Sequence, residues 1–570
     1  MTHRLASFSL LVTLVGSAAA EGVVGIDPAS AVGPTVDRWG WDLKGNLSLV
    51  SNASRAQALY VDVPANLVRI PWFVDAHFSD GSVNTARYAS MLTSLNNILA
   101  VNPDVEVFAS VRLEGGDTFV GPPSEPGWVT AGNENWSFDA GGSIFGNQSN
   151  RPNPDFYAQL IADYVSFLDS NGVSVDYLGV NNETDGALGV NRYIGTVDNV
   201  RTELTDRGFD ASAVTFIGPD TFSPNTAVNI TNSLASQGRL DTAQIIGSHG
   251  YPRRAGHDRE PWEDMSAASG GHDLWHTEVH INPSNANNGS PDTDNIARMR
   301  DGLGVLFAVN KAGGGAVDAQ GDLIGASSFV WWQGGPNESL IDQTIKREVI
   351  KTTLGASPVF TTPDFNEQTT NTSTPLYQAY VEGNEVTLWI ANPGAEQIGL
   401  AIDLISGRAI DDVHSAPAGE YWQGCESPSG PCYGDFGNTI TSAGVGALEF
   451  TVESDKSTIV IDSIPYNSVA VLTFDLAGSG DLNGDNQLTV ADVVRFQQGW
   501  QSGSSRGDLD FDGDTDQTDW FYLRAAFLEA GQGAALAALL TPEPTSLAGG
   551  LAVLGWWAAP FWARSRRRGR

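Results

Sequence analysis

From about residue 35 to residue 355 the chain repeats one unit: a short apolar run rich in β-branched and aromatic residues, then a stretch with apolar residues at three- and four-residue steps. Strands that alternate with helices in this way build parallel sheets. The runs at 39–43, 67–71, 105–111, 175–180, 214–217, 245–249, 274–278 and 328–332 make eight candidate strands, the number that closes a (β/α)8 barrel. One unit shows the pattern well. Phe156, Leu160, Ile161, Tyr164, Val165, Phe167 and Leu168 predict a helix that Asn171-Gly172 closes. Residues 175–180 then read as a buried strand, and Asn182-Glu183-Thr184-Asp185 as the loop beyond it.

Barrel proteins present their chemistry at the carboxyl ends of the strands. Glu183 stands at one such end and Glu278 stands at another 95 residues later, a spacing that fits three further βα units of roughly 30 residues each. The two therefore follow the fourth and seventh strands. Paired carboxylates at one barrel mouth are the minimum set for cleaving a glycosidic bond. One protonates the leaving oxygen while the other attacks the anomeric carbon or activates water. Glu183, as acid/base, needs its pKa raised by burial and by the negative Glu278; Glu278, as nucleophile, must be ionised. Either residue alone would read as an exposed loop carboxylate. Their placement at matching strand ends carries the reading.

Further motifs fall in a fixed order: Trp39-Gly40-Trp41, Arg69-Ile70-Pro71, Pro122-Pro123 with Gly127-Trp128, Asn182-Glu183, His249-Gly250-Tyr251-Pro252 and Trp275-His276-Thr277-Glu278. Over residues 30–475 this series resembles the clan A retaining glycoside hydrolases, family 30 above all. That family usually carries Asn-Glu-Pro, whereas Thr184 follows Glu183 here, which loosens the subfamily assignment more than the role of Glu183. The resemblance implies a polysaccharide substrate, with xylan, β-1,6-glucan and galactans all open, and no cofactor for catalysis. Asn182 is placed to donate to the sugar 2-hydroxyl, and Arg69 to hold Glu278 ionised by charge pairing. Tyr251 and His249 sit at the sixth strand's end, where the Tyr251 hydroxyl would hydrogen-bond the nucleophile; His249 reads equally as a catalytic residue or as a satisfied loop histidine. Trp331 or Trp332 would floor the reacting-sugar subsite, since only one of two adjacent strand residues faces inward; Trp128 is a further aromatic candidate. Two alternatives stand beside this reading. One is another clan A activity, such as an agarase-like one. The other is an inactive glycan-binding or cell-surface scaffold protein.

The rest of the chain speaks to organisation. A net charge of −36 excludes nucleic-acid phosphates as partners, because that binding needs lysine and arginine. Residues 1–20 read as a secretory signal, with Arg4 at the positive end and Ala18-Ala19-Ala20 at the cleavage site. In an exported protein the neighbouring Cys425 and Cys432 read as one local disulfide. The barrel is expected over 21–357 and a β-sandwich over 358–476, where short alternating strands replace the helices; residues 21–35 are expected to add a strand to that sandwich. Residues 477–532 carry a duplicated loop of oxygen side chains. Asp481, Asn483, Asp485, Gln487 and Asp492 form the first copy, and Asp508, Asp510, Asp512, Asp514 and Asp519 the second. This spacing suits two Ca2+ ions and resembles a type I dockerin, which implies a small all-α calcium module and a possible cohesin-like partner. Over 541–570, Pro542-Glu543-Pro544, an apolar stretch at 547–562 and a run of arginines resemble a PEP-CTERM sorting signal. That implies a transient membrane anchor cut by an exosortase-type enzyme, and a secreted or cell-surface product.

Overall fold

The computed structural model of the chain describes residues 22–532 apart from two sets of segments. Up to β10 these are 74–82, 84, 113–153, 183–188, 251–258, 280–294 and 333–339. Beyond it they are 364–373, 395, 406–407, 411–415, 424–444, 455, 477–479, 481, 483–487, 503–506, 508, 510–514 and 530–531. The signal and sorting segments, the cysteines and most of the expected calcium ligands therefore lie outside the described residues. Among the described residues no helix is long and apolar enough to cross a membrane.

The described chain opens with β1 (Gly22–Ala31), which belongs to a second sheet. Eight parallel strands then close a barrel: β2 (Arg38–Asp42), β3 (Leu67–Phe73), β4 (Glu106–Arg112), β5 (Tyr177–Gly179), β6 (Thr215–Thr221), β7 (Ile245–Gly250), β8 (Leu274–Val279) and β9 (Ala326–Trp331). The last pairs back onto the first. These are the eight strands read from the sequence. Parallel strands are covered on both faces, so they read as continuous apolar runs, and every residue of β3, β7, β8 and β9 is buried. Between them run α1 (Ala53–Tyr60), α2 (Ala89–Val101), α3 (Pro154–Ser170), α4 (Gly189–Asp206), α5 (Pro224–Ser236), α6 (Arg259–Ser269) and α7 (Asn295–Asn310), with α8 (Leu340–Thr353) after β9. Local chemistry sets their ends. Asn52 caps α1 by accepting from Arg55 N at 3.0 Å. Gly172, at φ +77°, lets the chain leave α3 where Asn171-Gly172 led us to expect it.

The barrel interior is layered. Leu67, Phe108, Tyr177, Ile217, Ile245, Trp275 and Val330 form an apolar plug, one residue from each strand β3 to β9. At the plug's amino-terminal side Arg38 pairs with Glu106 at 2.5 Å, and Tyr177 donates to the same carboxylate at 2.9 Å. Strand alternation then sends the next inward positions, Arg69 on β3 and Ser110 on β4, into a polar layer above.

The second sheet comprises β1 with β10 (Ser357–Thr362), β11 (Leu376–Glu382), β12 (Glu385–Asn392), β13 (Ile398–Leu404), β14 (Ala418–Gln423), β15 (Val445–Ala447), β16 (Phe450–Val452), β17 (Thr458–Ile464) and β18 (Ser468–Asp475). Its order is β15-β14-β18-β12-β11-β10-β1-β13-β17-β16. Instead of two separate sheets, one hydrogen-bonded ladder folds over. Val386, Leu388 and Leu472 from one wing share a core with Leu400, Ile402 and Ile461 from the other. β1 lies at the fold-over, antiparallel to β10 and parallel to β13. The barrel therefore begins near residue 36 rather than 21. Beyond the sheet, α9 (Val490–Ser502) and α10 (Gln517–Glu529) pack about Phe496, Leu523 and Phe527.

Candidate active site

Seven consecutive barrel strands or their exits contribute a polar side chain to one buried cluster. From β2 come Asp42 and, two residues on, Lys44; from β3 Arg69; from β4 Ser110; beyond β5 Asn182; from β6 Asp220; from β7 His249; from β8 Thr277 and Glu278. Arg69 is the hub and is fully buried. Its Nη1 donates to Glu278 Oε2 at 2.6 Å, Asp42 Oδ2 at 3.1 Å and the Thr277 carbonyl at 3.2 Å. Its Nη2 donates to Ser110 Oγ at 2.9 Å, Asp220 Oδ2 at 3.0 Å and Asn182 Oδ1. The guanidinium stands over the Phe108 ring of the apolar plug, 5.3 Å from its centroid.

Two irregularities bring these groups together. Asp220 sits at φ +47° beside a register shift between β6 and β7, a left-handed conformation that Asp tolerates better than most residues. In β8 the register against β7 slips after His276, so that His249 pairs with Glu278. Bulges of this kind re-aim side chains. Here Thr277 reaches Asp220 Oδ1 at 2.5 Å while its neighbour Glu278 still reaches Arg69, which an unbroken alternation would forbid.

The electrostatics follow from burial. Asp42 lies fully buried, and its pKa is pushed up to about 6 although Arg69 and Lys44 oppose the rise. For Asp220 burial acts in the same upward direction, but Arg69, His249 and the Thr277 hydrogen bond outweigh it and hold the carboxyl well below its usual range. Burial lowers the Arg69 pKa, yet Asp220, Asp42 and Glu278 together raise it further. Lys44 Nζ lies 2.8 Å from Glu278 Oε2 and 3.3 Å from Asn182 Oδ1. His249 Nε2 lies 3.2 Å from Asp220 Oδ1 and 3.6 Å from Glu278 Oε2.

Among the residues expected from sequence, Arg69, Asn182, His249 and Glu278 meet in this cluster. Glu183, Trp128 and Tyr251 lie outside the described residues. Trp331 corrects the aromatic expectation. Val330 faces the barrel interior, so Trp331 faces the helical shell, stacked 4.8 Å from Trp39 with Lys346 of α8 5.6 Å from its ring. Trp332, half-buried just past β9, is left as the candidate platform. Asp42, Lys44, Ser110 and Asp220 were not anticipated. Asp220 could have been found by reading every strand end as Arg69 and Glu278 were read. For Lys44, in a loop, no sequence signal exists.

Of the residues expected to hold calcium, Asp492 and Asp519 are buried in the first turns of α9 and α10. Each accepts a backbone N–H three residues back, from Thr489 and Asp516, both at 2.7 Å. The two copies thus share one loop-to-helix geometry. Asp481, Asn483, Asp485, Gln487, Asp508, Asp510, Asp512 and Asp514 lie outside the described residues.

No family model matches the chain. Over 178 residues it is 27% identical to glucuronoxylanase XynC of Bacillus subtilis, a stretch covering 31% of this chain and 37% of that relative. The same protein from strain 168 is 26% identical over the same length. A solved GH30 endoxylanase from Clostridium papyrosolvens C71 aligns with a TM-score of 0.52 at 17% identity, covering 79% of this chain and 99% of that one. The fold is the one found in that endoxylanase. The chain spans less than two fifths of the curated relatives' length in the aligned stretch, and that stretch is similarity, not equivalence.

Proposed function

We propose that this chain is an exported β-glycoside hydrolase that cleaves a polysaccharide by double displacement, with xylan the first polymer to consider. One observation carries the reading. The Glu278 carboxylate, at the end of the seventh barrel strand and fully buried, receives Arg69 at 2.6 Å and Lys44 at 2.8 Å on one oxygen. Cations at that range favour the ionised form, which a nucleophile needs. Asn182 adds support: its Oδ1 faces both cations, while its buried Nδ2 has no hydrogen-bond partner among the described residues. A buried amide donor without a partner costs about 1–3 kcal/mol, and a sugar 2-hydroxyl would satisfy it. Glu183 follows Asn182 directly in the chain.

In this mechanism Glu278 attacks the anomeric carbon as the glycosidic bond breaks, and Glu183 gives its proton to the leaving oxygen. Water then attacks the glycosyl-enzyme, gives its proton to Glu183 and releases the Glu278 carboxylate. Xylan is favoured because the curated relative is called a glucuronoxylanase and the structural neighbour an endoxylanase. The test is hydrolysis of purified polysaccharides and aryl β-glycosides by wild type, Glu183→Gln and Glu278→Gln, with the product anomer followed by NMR. Cleavage of one polymer with retention, abolished in both variants, supports the reading. A wild type that binds glycans but cleaves none would replace it with the scaffold reading. The two calcium ions belong to the same proposal as stiffeners of residues 477–532: their all-oxygen donor set suits Ca2+, and a chelator should leave hydrolysis intact.

A further inference from the structure

Lys44 is 3% exposed, in a loop two residues past β2. Lysine is ordinarily a surface residue, and burying its ammonium is expensive unless anions surround it. Here the surroundings are built. The Lys44 backbone N–H donates to Asp42 Oδ1 at 2.5 Å, and the other Asp42 oxygen accepts from Arg69 at 3.1 Å. In front, the ammonium reaches Glu278 Oε2 at 2.8 Å and Asn182 Oδ1 at 3.3 Å. Arg69 spans the same two acceptors through its two terminal nitrogens. Two cations therefore bridge one pair of residues, Asn182 beyond β5 and Glu278 on β8.

Arg69 alone would serve the pair poorly, because its charge is shared. Three carboxylates, Asp42, Asp220 and Glu278, contact that one guanidinium. With Arg69 as sole partner the ionised cluster would carry two excess negative charges, and Lys44 removes one of them. Like charges so close disfavour ionisation, and Glu278 shares the cluster with two other carboxylates. The ammonium also occupies the Asn182 carbonyl oxygen, which turns the amide nitrogen away from the cations.

We infer that Lys44 is a positioning residue of the reaction centre, holding Glu278 as carboxylate and fixing the amide orientation of Asn182. The inference rests on the reading of Glu278 as nucleophile. Its chemical consequence is asymmetric. Stabilising the carboxylate makes Glu278 available at lower pH and makes it a better leaving group when water attacks the glycosyl-enzyme, while blunting its attack on the sugar. Lys44 therefore matters most for the second displacement and for the acidic side of the pH profile.

The test compares full-length wild type with Lys44→Met and with the near-isosteric Lys44→Gln, which keeps a donor but no charge. Hydrolysis of linear xylan and an aryl β-xyloside is followed across pH, and each variant is also unfolded in urea with Glu278 present and with Glu278→Gln. Both variants should move the acid limb of kcat/KM upward by about one pH unit, as expected for losing a charge in contact. At the pH optimum kcat should fall at least tenfold and KM should fall with it, as the covalent intermediate accumulates. The stability lost through Lys44→Met should shrink when Glu278 is already Gln. An unmoved acid limb, or equal stability losses in both backgrounds, overturns the inference. A wild type that cleaves nothing on the panel removes the hydrolase reading instead, and the urea cycle then decides whether Lys44 acts on Glu278.

Discussion

Arg69 donates to groups contributed by β2, β4, β6, β8 and the exit of β5 from a position without solvent. Removing one partner of a buried ion cluster costs about 3–5 kcal/mol, because the remaining charges lose their compensation. Arg69→Met should therefore lower the unfolding free energy measured in urea by that order and abolish hydrolysis. Arg69→Lys should keep more stability yet lose at least a hundredfold in kcat/KM, since a single ammonium cannot reproduce the guanidinium fork. Equal activity in Arg69→Lys would show that charge alone matters. Asp42 offers a pH test with a definite sign. Its pKa is about 6 in the fold against an ordinary value of 3.8, so the fold binds this proton more tightly than the unfolded chain does. Stability from this group is complete below pH ~4 and is lost as pH rises through ~6, by at most about 3 kcal/mol at 1.36 kcal/mol per unit. Asp42→Asn should flatten that slope between pH 4 and 7 in urea titrations; an unchanged slope would place the titration elsewhere. Asp220 runs the other way, its contribution present above pH ~4 and lost only in strong acid. At this scale the sequence was half legible. Arg69, Asn182, His249 and Glu278 stand at strand ends where the barrel rule looks. Asp42 and Lys44 belong to one tight turn whose burial depends on what the barrel closes over it, and lysine is exposed by default.

Strands were legible where burial was double-sided. The barrel strands announce themselves as apolar runs because no face meets water. In the second sheet, β15 and β16 are three residues each, too short to display alternation, and β10 and β14 carry little signal, as Ser357–Thr362 and Ala418–Gln423 mix polar residues and proline or glycine into the run. The bulge in β8 had no sequence signature, yet it is what lets adjacent Thr277 and Glu278 both face the cluster. Its room comes from Gly247 on β7. A Cβ there would lie 2.8 Å from both Ile217 Cγ2 and Thr277 Cγ2, closer than packed carbons allow. Gly247→Ala should therefore press Thr277 off Asp220, destabilise by about 1–3 kcal/mol as overpacking does, and lower kcat through the displaced Glu278. Thermal melts and kcat measured together check this. A variant that loses stability but keeps full kcat would show that β8 tolerates the shift without moving its carboxylate.

At the scale of the molecule, barrel and sheet are less separable than their secondary structures suggest. Trp389, Tyr380, Trp422 and Val469 of the sheet belong to the same buried cluster as the barrel's helical shell, and Trp389 Nε1 donates to Thr352 of α8 at 3.1 Å. β1 adds a topological tie. It precedes the barrel in sequence but lies between β10 and β13 in space, so deleting it splits the ladder into pieces of six and three strands and strips Val24 and Ile26 from the core. A chain restricted to 36–357 would expose the helical-shell surface that Tyr380 and Trp389 cover, around Phe307 of α7 and Thr352 of α8, at about 25 cal/mol per Å2 of apolar surface, and should aggregate or melt far below the full chain. Supplying 358–476 separately should fail to rescue it unless residues 22–35 accompany one of the pieces. The two-helix module offers the contrast. Its core of Leu482, Val493, Phe496, Leu509, Trp520, Leu523 and Phe527 is closed on itself, so truncation after residue 476 should leave both the main melting transition and hydrolysis unchanged, and a calcium chelator should move only a transition that this truncation removes. Calorimetry of the three chains decides it: a barrel fragment melting with the full chain's transition would mean that the shared core is contact without stability, and the ten-stranded sheet merely an appendage.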